Sequence, residues 1–390
     1  MTDFVEGNRI TLLTRGSEYF PQLEAACEEA QREIHIETYI YDSDEAGRRV
    51  GEALKRAARR GVATHVLMDG FGSKKLSGGF VADLESAGVR VLVYRPERGP
   101  LFLGRRRLRR MHRKLAVVDA RFAFIGGINI IDDMHTPGHT PPRFDYAVRI
   151  EGPLLGHIYP AVKRLWALVE FMQLGRDWHN VNRLEPDTTP RGTQQAAFVV
   201  RDNLRHRRAI EEAYLEAIAA ARSEILIANA YFFPGLSFRR ALMEAAARGV
   251  EVTLLLQGRV EYLLLHYASR ALYGAFLDAG IRISEYHKSF LHAKVAVIDG
   301  EWATVGSSNI DPFSLLLARE ANVVVRDRAF AAKLRESLAR AMAEVARDMK
   351  RERWRQQPLA VRVATWTAYG VARLLTGAFA YGRAREFDSP

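Results

Sequence analysis

Along the chain, short continuous apolar runs alternate with amphipathic stretches of helical period. Residues 33–41 predict a strand, and residues 45–61 predict a helix ending at Gly61, a residue suited to a left-handed C-cap. Further strands are predicted at 62–69, 89–94, 114–119, 122–127 and 143–152, and further helices at 79–87 and 154–172. Because continuous apolar strands between helices indicate sheets covered on both faces, the pattern predicts an α/β fold.

The chain contains an internal repeat. Residues 32–43 match 223–234, and two further pairs of segments, 58–70 with 246–258 and 85–95 with 277–287, follow in the same order. A fourth match aligns "MHRKLAVVDARFAFIGGINI", from Met111, with "LHAKVAVIDGEWATVGSSNI", from Leu291. This order predicts a duplicated domain. The predicted divisions are domains at 1–175 and 195–356, a polar linker at 176–194 and a basic, aromatic tail at 357–390.

Each copy of the fourth segment has the spacing H-x-K-x4-D. Residues two apart on a strand point to the same face, so His112 projects with Lys114, and His292 projects with Lys294. Duplication places equivalent strands around a pseudo-twofold axis, where the two pairs can converge on one site. Two lysines suit one phosphoryl group, and two histidines supply a nucleophile and a general acid on opposite sides of it.

Two aspartates and two asparagines complete the repeated motif. Asp119 and Asp299 belong to the candidate catalytic set, although we expect them to hold the structure of the motif more than to touch substrate. Asn129 and Asn309 follow small residues that let backbone approach a ligand closely. Their side-chain amides can donate hydrogen bonds to phosphate oxygens.

The paired "HRKLAVVD" and "HAKVAVID", with their "GG" and "GSSN" continuations, resemble the phospholipase D superfamily over about residues 30–350. The segments "MDGFGS" (68–73), "AYFFPG" (230–235) and 291–311 further resemble the bacterial cardiolipin synthases, in particular their short form. The resemblance implies two duplicated α/β/α domains with mixed sheets, related by a pseudo-twofold axis, with the active site at the domain interface.

The resemblance also implies a two-step phosphatidyl transfer through a covalent phosphohistidine. By analogy, His112 is the nucleophile and His292 the acid/base, an order that the near-equal copies leave open. Both lysines and both asparagines would stabilise phosphate oxygens, and Asp145 and Glu320, each at a strand start, would orient the histidines. The alternative for each of these two acids is a surface carboxylate. We expect phosphatidylglycerol as donor and acceptor, cardiolipin and glycerol as products, and neither cofactor nor metal.

The charge balance bears on the substrate class. Lysine and arginine exceed aspartate and glutamate by 57 − 46 = 11, and the pI is about 9.8, which favours anionic partners. We expect an anionic phospholipid membrane as partner, no nucleic acid, and peripheral attachment to the cytoplasmic face of a bacterial membrane. Three rivals remain: a lipid hydrolase that uses water as acceptor, a metal-independent nuclease, and a non-catalytic lipid-binding scaffold. The oligomeric state stays open.

Two segments outside the repeat concern the membrane. A basic run at 105–110 directly precedes the first motif, and we expect it to attract a phosphate-bearing surface, with a solvated charged loop as the alternative. In the tail at 358–385, Arg362 and Arg373 share one helical face, which predicts an interfacial amphipathic helix. Packing onto the domain and a membrane span are the alternatives. The predicted apolar face comprises Val371, Leu374, Leu375 and Ala378.

Overall fold

The computed structural model consists of alternating strands and helices. It describes residues 2–96, 109–136, 140–174, 184–202, 206–260, 263–312, 314 and 317–381. The elements of the first half are β1 (Val5–Thr14), α1 (Arg15–Glu29), β2 (Glu33–Thr38), α2 (Glu45–Arg59), β3 (Ala63–Asp69), α3 (Gly78–Ser86), β4 (Arg90–Tyr94), β5 (Leu115–Val118), β6 (Phe122–Gly126), β7 (Tyr146–Glu151) and α4 (Leu155–Leu174). The strands and helices predicted from residue 33 onward are present, with ends that differ by a few residues.

The second half repeats the order of the first. Its elements are β8 (Gln194–Arg201), α5 (Ala209–Ala220), β9 (Glu224–Asn229), α6 (Leu236–Ala247), β10 (Glu251–Gln257), α7 (Leu263–Arg270), α8 (Tyr273–Asp278), β11 (Arg282–Tyr286), β12 (Lys294–Ile298), β13 (Trp302–Gly306), β14 (Glu320–Arg326), α9 (Arg328–Val345), β15 (Ala346–Asp348), α10 (Arg351–Arg355) and α11 (Leu359–Tyr381). Of the predicted linker at 176–194, residues 176–183 lie outside the described residues, and Gln194 already begins β8.

The fifteen described strands form one sheet, in the order β15-β11-β10-β9-β12-β13-β14-β8-β1-β7-β6-β5-β2-β3-β4. Outward from the β8–β1 junction, the two halves place equivalent strands in the same order. The runs β2-β3-β4 and β9-β10-β11 are parallel and their other neighbours are antiparallel. The predicted α/β fold with two duplicated halves and mixed strand directions is therefore confirmed.

The antiparallel β1–β8 pair joins the halves, with Val5 opposite Ala196 and Asn8 opposite Gln194. Asn8 is fully buried there. Its amide nitrogen donates to the carbonyl oxygens of Val5 and Gln194 at 2.8 and 3.3 Å, and its side-chain oxygen accepts from the Leu154 N–H at 2.8 Å. These bonds satisfy a buried amide at the junction, so they fix the register between the halves.

A common hydrophobic core lies between the halves. It contains Leu115 and Tyr146 from the first half together with Val295 and Leu334 from the second, all at most 1% exposed. Separate clusters lie under the outer helices of each half. Because apolar burial is the main favourable term in folding, the shared cluster stabilises the arrangement of the halves as well as each half.

Tight turns hold the strand pair that follows each motif lysine. Asp119 and Ala120 have φ angles of 51° and 52°, and Asp299 and Gly300 have φ angles of 51° and 62°. Because Val118 pairs with Phe122 and Ile298 with Trp302, each hairpin loop has three residues, of which the first two have positive φ. The sequence predicts adjacent strands at 114–119 and 122–127, and the structure joins them by the same kind of turn in both copies.

The helical spacing of apolar residues at 331–356 predicts one long helix, but this prediction is wrong beyond Val345. Here α9 ends and residues 346–348 form β15, which pairs antiparallel with β11 at the edge of the sheet. The helical stripe at the start of the segment does face the core, since Leu334 and Leu338 are fully buried. Strand pairing with β11, a tertiary interaction, outweighs the local helical pattern after that point.

The tail helix α11 packs on the second half and exposes an apolar surface. Thr365 and Ala372 are buried, and the Tyr369 ring contacts Phe233 edge to face at 5.7 Å between centroids. Packing onto the domain, one of the alternatives, is therefore present on one side of the helix. The exposed apolar residues are Leu359, Val363, Trp366, Val371, Leu374 and Leu375, while the side chain of Ala378 lies outside the described residues. In the described part of the chain, no helix has the length and apolar character of a membrane span.

Candidate active site

The two motif histidines lie in one cleft. His112, just before β5, and His292, just before β12, both line a cavity of about 290 Å³ between the halves. Asn129 and Asn309 line the same cavity. The duplicated strands therefore bring together the two sets of residues that the sequence singled out.

Backbone hydrogen bonds hold each histidine against the opposite half. The His112 N–H donates to the carbonyl oxygen of Arg319 at 2.9 Å, and the His292 N–H donates to the carbonyl oxygen of Phe144 at 2.8 Å. Each contact is part of a short parallel bridge. Met111 pairs with Arg319, next to Glu320, and Leu291 pairs with Phe144, next to Asp145. The histidines are thus fixed by backbone that crosses the pseudo-twofold axis.

The acids cross in the same way. His112 Nδ1 lies 2.9 Å from Glu320 Oε1, and His292 Nδ1 lies 2.5 Å from Asp145 Oδ2. Both carboxylates are buried, at 0% and 1% exposure respectively. A carboxylate on Nδ1 fixes the ring orientation and tautomer and leaves Nε2 available for chemistry. The sequence singled out both acids but gave no basis for assigning each one to the histidine of the other half.

A glycine–serine difference between the copies matches the two acids. Ser307 Oγ donates to Glu320 Oε2 at 2.5 Å, so the longer acid has a second support. At the equivalent position, a Cβ added to Gly127 would overlap the Asp145 carboxylate. The shorter Asp145 therefore packs directly on backbone, which explains why one motif continues "GG" and the other "GS". From the sequence, both positions were recognisable only as small residues, and no local pattern indicates this function of Ser307.

Both motif lysines are buried behind the histidines. Lys114 Nζ donates to the carbonyl oxygen of His112 at 2.6 Å, and Lys294 Nζ donates to that of His292. Lys294 Nζ also lies 3.6 Å from Asp145. Burial lowers the pKa of Lys114 to about 7 and that of Lys294 to about 8, because charged ammonium groups are costly to desolvate. An anion bound in the cleft would stabilise both charges.

Burial lowers the pKa of each histidine as well. For His112, the nearby Glu320 carboxylate opposes this effect, whereas for His292 the charges of Lys294 and other cations add to it. Burial also raises the pKa of Asp145 to about 6, even with Lys294 close by. Both imidazoles are therefore neutral near pH 7 in the free protein, and neutral imidazole is the form that acts as a nucleophile.

The two asparagines differ in their contacts. The side-chain oxygen of Asn129 accepts from the Ile40 N–H at 3.0 Å. The corresponding oxygen of Asn309 is buried and has no hydrogen-bond partner among the residues that the structure describes. Buried polar groups are usually paired, so this unpaired acceptor marks a position in the cleft for a donor group of a ligand, whereas phosphate oxygens would be bound by the amide nitrogen.

Asp119 and Asp299 lie at the opposite ends of β5 and β12, away from the cleft. The Asp119 carboxylate accepts from the backbone N–H groups of residues 31–33 at 2.8, 2.8 and 2.9 Å. Asp299 accepts from the N–H groups of residues 222–224 at 2.8, 2.8 and 2.9 Å. The two aspartates thus tie each motif hairpin to the start of the neighbouring strand, which is the structural function expected from the sequence.

Aromatic side chains that the sequence analysis did not select flank the histidines. The Tyr39 ring meets His112 edge to face at 4.8 Å, and Lys114 Nζ lies 5.1 Å from the centre of the same ring. Phe290 stacks on His292 at 5.6 Å. Tyr39 comes at the end of a repeated strand segment and Phe290 two residues before the second motif, so their position in the repeat was the available signal.

Of the basic run at 105–110, only the last two residues lie inside the described part of the chain. Arg110 lines the cleft, with its guanidinium 3.7 Å from Asp69. The buried Asp69 carboxylate also accepts from the Met111 N–H at 2.9 Å. At least the end of this run therefore lies at the cleft, and Asp69 fixes the backbone just before His112.

A pseudo-twofold site with two histidine–lysine pairs and two crossed carboxylates defines a class of enzymes that process phosphodiesters. The family model described as "Cardiolipin synthase, PLD-like domain" matches residues 23–136 and 214–342. The chain therefore belongs to the family of cardiolipin synthases with phospholipase D-like domains. The resemblance stated from the motifs is confirmed.

The similar proteins agree with this family. Cardiolipin synthase B of Escherichia coli strain K12 is 44% identical over 336 residues, covering 85% of this chain and 80% of the relative. A cardiolipin synthase of Geobacillus kaustophilus strain HTA426 is 31% identical over 385 residues, covering 95% and 72%. The crystal structure of phosphatidylserine synthase from Haemophilus influenzae Rd KW20 has a TM-score of 0.69 over 94% of each chain at 12% identity, which shows a shared fold.

Proposed function

We propose that this protein is a cardiolipin synthase that transfers a phosphatidyl group from one phosphatidylglycerol to another. The observation that carries the proposal is the crossed pairing of His112 with Glu320 and of His292 with Asp145 at one cleft. Two oriented imidazoles facing one cavity suit a reaction in which a phosphorus atom is attacked on one side and loses an alcohol on the other. Membership of the cardiolipin synthase family supports the choice of lipid substrates.

In the first step, Nε2 of neutral His112 attacks the phosphorus of the donor. The bond between phosphorus and the glycerol headgroup oxygen breaks, and protonated His292 gives its Nε2 proton to that oxygen. Glycerol leaves, and the phosphatidyl group remains on His112 as a phosphohistidine. The Glu320 carboxylate stabilises the positive charge that develops on the attacking ring.

In the second step, His292 accepts the proton of a headgroup hydroxyl on a second phosphatidylglycerol. The oxygen of that hydroxyl attacks phosphorus, the P–N bond breaks, and the electron pair returns to His112. Cardiolipin leaves and His292 is again protonated. Hydrolysis would follow the same route with water in place of the second lipid, so the acceptor alone decides between the two outcomes.

Lys114 and Lys294 would bind the non-bridging phosphate oxygens, together with the amide nitrogens of Asn129 and Asn309. Both lysines are buried directly behind the histidines, where a charge–charge contact with phosphate is stronger than in water. The phosphate charge would in turn offset the cations that lower the pKa of His292. Substrate binding is thus expected to raise that pKa and to be accompanied by proton uptake.

The exposed surface of α11 supports peripheral attachment to an anionic membrane. Trp366 and Leu374 on this helix are 58% and 75% exposed, and Leu263 on the neighbouring α7 is 66% exposed. Leu265, also on α7, lines the active-site cleft, so this apolar surface lies close to the cleft mouth. Apolar side chains that insert into the interface, combined with a net charge of +11, favour anionic lipid. The cytoplasmic face is part of the proposal.

The test is an assay of lipid products with the purified protein and phosphatidylglycerol vesicles. We expect cardiolipin and glycerol in equal amounts, and loss of turnover in both His112→Ala and His292→Ala. Phosphatidate without cardiolipin would contradict the transferase and favour the hydrolase. Unchanged activity in either variant would contradict a site shared by the two histidines.

A further inference from the structure

The charged groups beside the two histidines do not follow the pseudo-twofold symmetry. Arg110 and Phe290 occupy equivalent positions two residues before the motif histidines, and Arg143 and Ala318 occupy equivalent positions two residues before the crossed acids. All four line the cleft. Both arginines come from the first half, whereas the second half supplies apolar residues at the same places. The cleft therefore carries a positive charge that the duplicated motif does not require.

The two arginines differ in their electrostatic partners. Arg110 lies 3.7 Å from the buried Asp69 carboxylate, which offsets its charge. The Arg143 guanidinium lies 5.6 Å from the centre of the Phe290 ring and donates to the carbonyl oxygen of His135 at 3.4 Å. Asp133 and Asp145 feel its charge, but among the residues that the structure describes no carboxylate lies within 4.0 Å of Arg143 to form an ion pair. Its guanidinium can therefore pair with an anion in the cleft, on the side of His292.

Arg259 borders the same side of the cleft as Arg143. Arg259 donates to the carbonyl oxygen of His287 at 2.9 Å and to Thr140 Oγ1 at 3.1 Å, and both acceptors are neutral. Thr140 is three residues before Arg143, so Arg259 contacts the segment that carries Arg143. Arg259 also lines a small cavity that shares Tyr231 and Leu265 with the active-site cleft. Within the described chain, Arg259 likewise has no carboxylate within 4.0 Å.

The proposed reaction needs a place for a second phosphate. The donor phosphate lies between the histidines, but the acceptor phosphatidylglycerol keeps its own phosphodiester, one glycerol unit away from the attacking hydroxyl. That hydroxyl must reach His292, which removes its proton. The acceptor phosphate therefore remains on the His292 side of the cleft, where Arg143 lies. A guanidinium suits this group, because it binds phosphate through two parallel hydrogen bonds.

We propose that Arg143, assisted by Arg259, binds the phosphate of the acceptor lipid and so selects an alcohol that carries a phosphodiester over water or a small neutral alcohol. This inference rests on the proposed function and names the acceptor class of the same site.

The experiment offers two acceptors to one covalent intermediate. Phosphatidylglycerol vesicles are incubated with the full-length protein in the presence of ethanol, and cardiolipin and phosphatidylethanol are measured together. Both products arise from the same phosphohistidine, so their ratio is independent of the donor step. We expect Arg143→Gln to lower the ratio of cardiolipin to phosphatidylethanol about tenfold, the effect of losing one charge-assisted contact. We expect Arg259→Gln to lower the ratio less, and Arg143→Lys to give an intermediate ratio.

The matched control is Arg340→Gln. Arg340 lies on α9, is 64% exposed, pairs with Glu336 and does not line the cleft, so this variant removes the same charge outside the site and should keep the wild-type ratio. A wild-type ratio in both Arg143→Gln and Arg259→Gln would overturn the inference, as would an equal fall of both products. Formation of phosphatidylethanol without cardiolipin by the wild type would also overturn it. Failure of the wild type to form either product would instead contradict the proposed function itself.

Discussion

At the scale of single residues, the crossed acids carry the most specific expectation. Glu320→Gln keeps the shape of the side chain but replaces the carboxylate that fixes His112, so the ring can adopt the wrong tautomer. We expect kcat to fall by about 10²-fold or more, with little change in melting temperature. Steady-state kinetics and thermal denaturation of the same preparation measure both quantities.

The second copy of the motif offers a matched control for this substitution. Ser307→Gly removes only the support behind Glu320 and reproduces the residue that the first copy carries at Gly127. We expect a loss of only a few fold, since the histidine–carboxylate contact remains. A larger loss in Ser307→Gly than in Glu320→Gln would mean that the serine itself takes part in the chemistry.

The lowered pKa values of the two motif lysines predict the alkaline limb of the pH profile of kcat/KM. Lowered pKa values, about 7 for Lys114 and about 8 for Lys294, mean that these side chains lose their charge at lower pH than an ordinary lysine. Phosphate binding weakens as the charge is lost, so kcat/KM should decline as the pH rises through about 7 to 9. Lys294→Arg, if active, should shift the limb to higher pH because arginine stays charged. A limb near pH 10 in the wild type would contradict the lowered pKa values.

At the scale of elements, the sequence predicts the strands and helices that recur in both halves but not those that join them. The strands around each motif were recognisable, since their apolar runs are continuous and repeated. The sequence of β1 mixes polar with apolar residues and lacks a continuous apolar run. Its partners are β7 and β8, so its formation depends on contacts that only the assembled sheet supplies. For the same reason β15 could not be predicted, because it exists only as the partner of β11.

The tail helix gives a prediction at the same scale. Trp366→Glu combined with Leu374→Glu places two charges on the exposed apolar surface of α11 and leaves the buried Thr365 and Ala372 in place. We expect binding to vesicles of anionic phospholipid to fall at least tenfold in a sedimentation assay, with an unchanged melting temperature. Met172→Glu, at a residue of α4 that is 59% exposed, is the control and should bind as the wild type does. Equal vesicle binding by the wild type and all variants would contradict a membrane contact through α11.

At the scale of the whole molecule, the sequence predicts which residues form the site but not which acid contacts which histidine. The repeat brings His112, His292, Asp145 and Glu320 to attention, and spacing along the chain suggests that each half is self-contained. The crossed contacts follow instead from how β1 and β8 join the halves, and this pairing leaves no local pattern. Arg143 was missed for a related reason, since it matters only beside a histidine that lies 149 residues away in the sequence.

The shared core predicts that the halves unfold together. Leu115 belongs to the first half and Leu334 to the second, yet both lie in the cluster between the halves. We expect one calorimetric transition for the wild type, and Leu115→Ala and Leu334→Ala should each lower its midpoint through a loss of about 2–5 kcal/mol. Two resolved transitions, with each variant moving only one of them, would contradict a common folding unit.

The crossed contacts also affect how the enzyme becomes active during its own synthesis. The chain leaves the ribosome from its N-terminus, and His112 emerges 208 residues before the acid that fixes its imidazole. A nascent or prematurely terminated product can therefore expose both motifs to lipid while its first histidine still turns freely. The contact that orients His112 forms only after β14 has been translated, so incomplete chains are expected to cleave membrane phosphodiesters much more slowly than the finished protein.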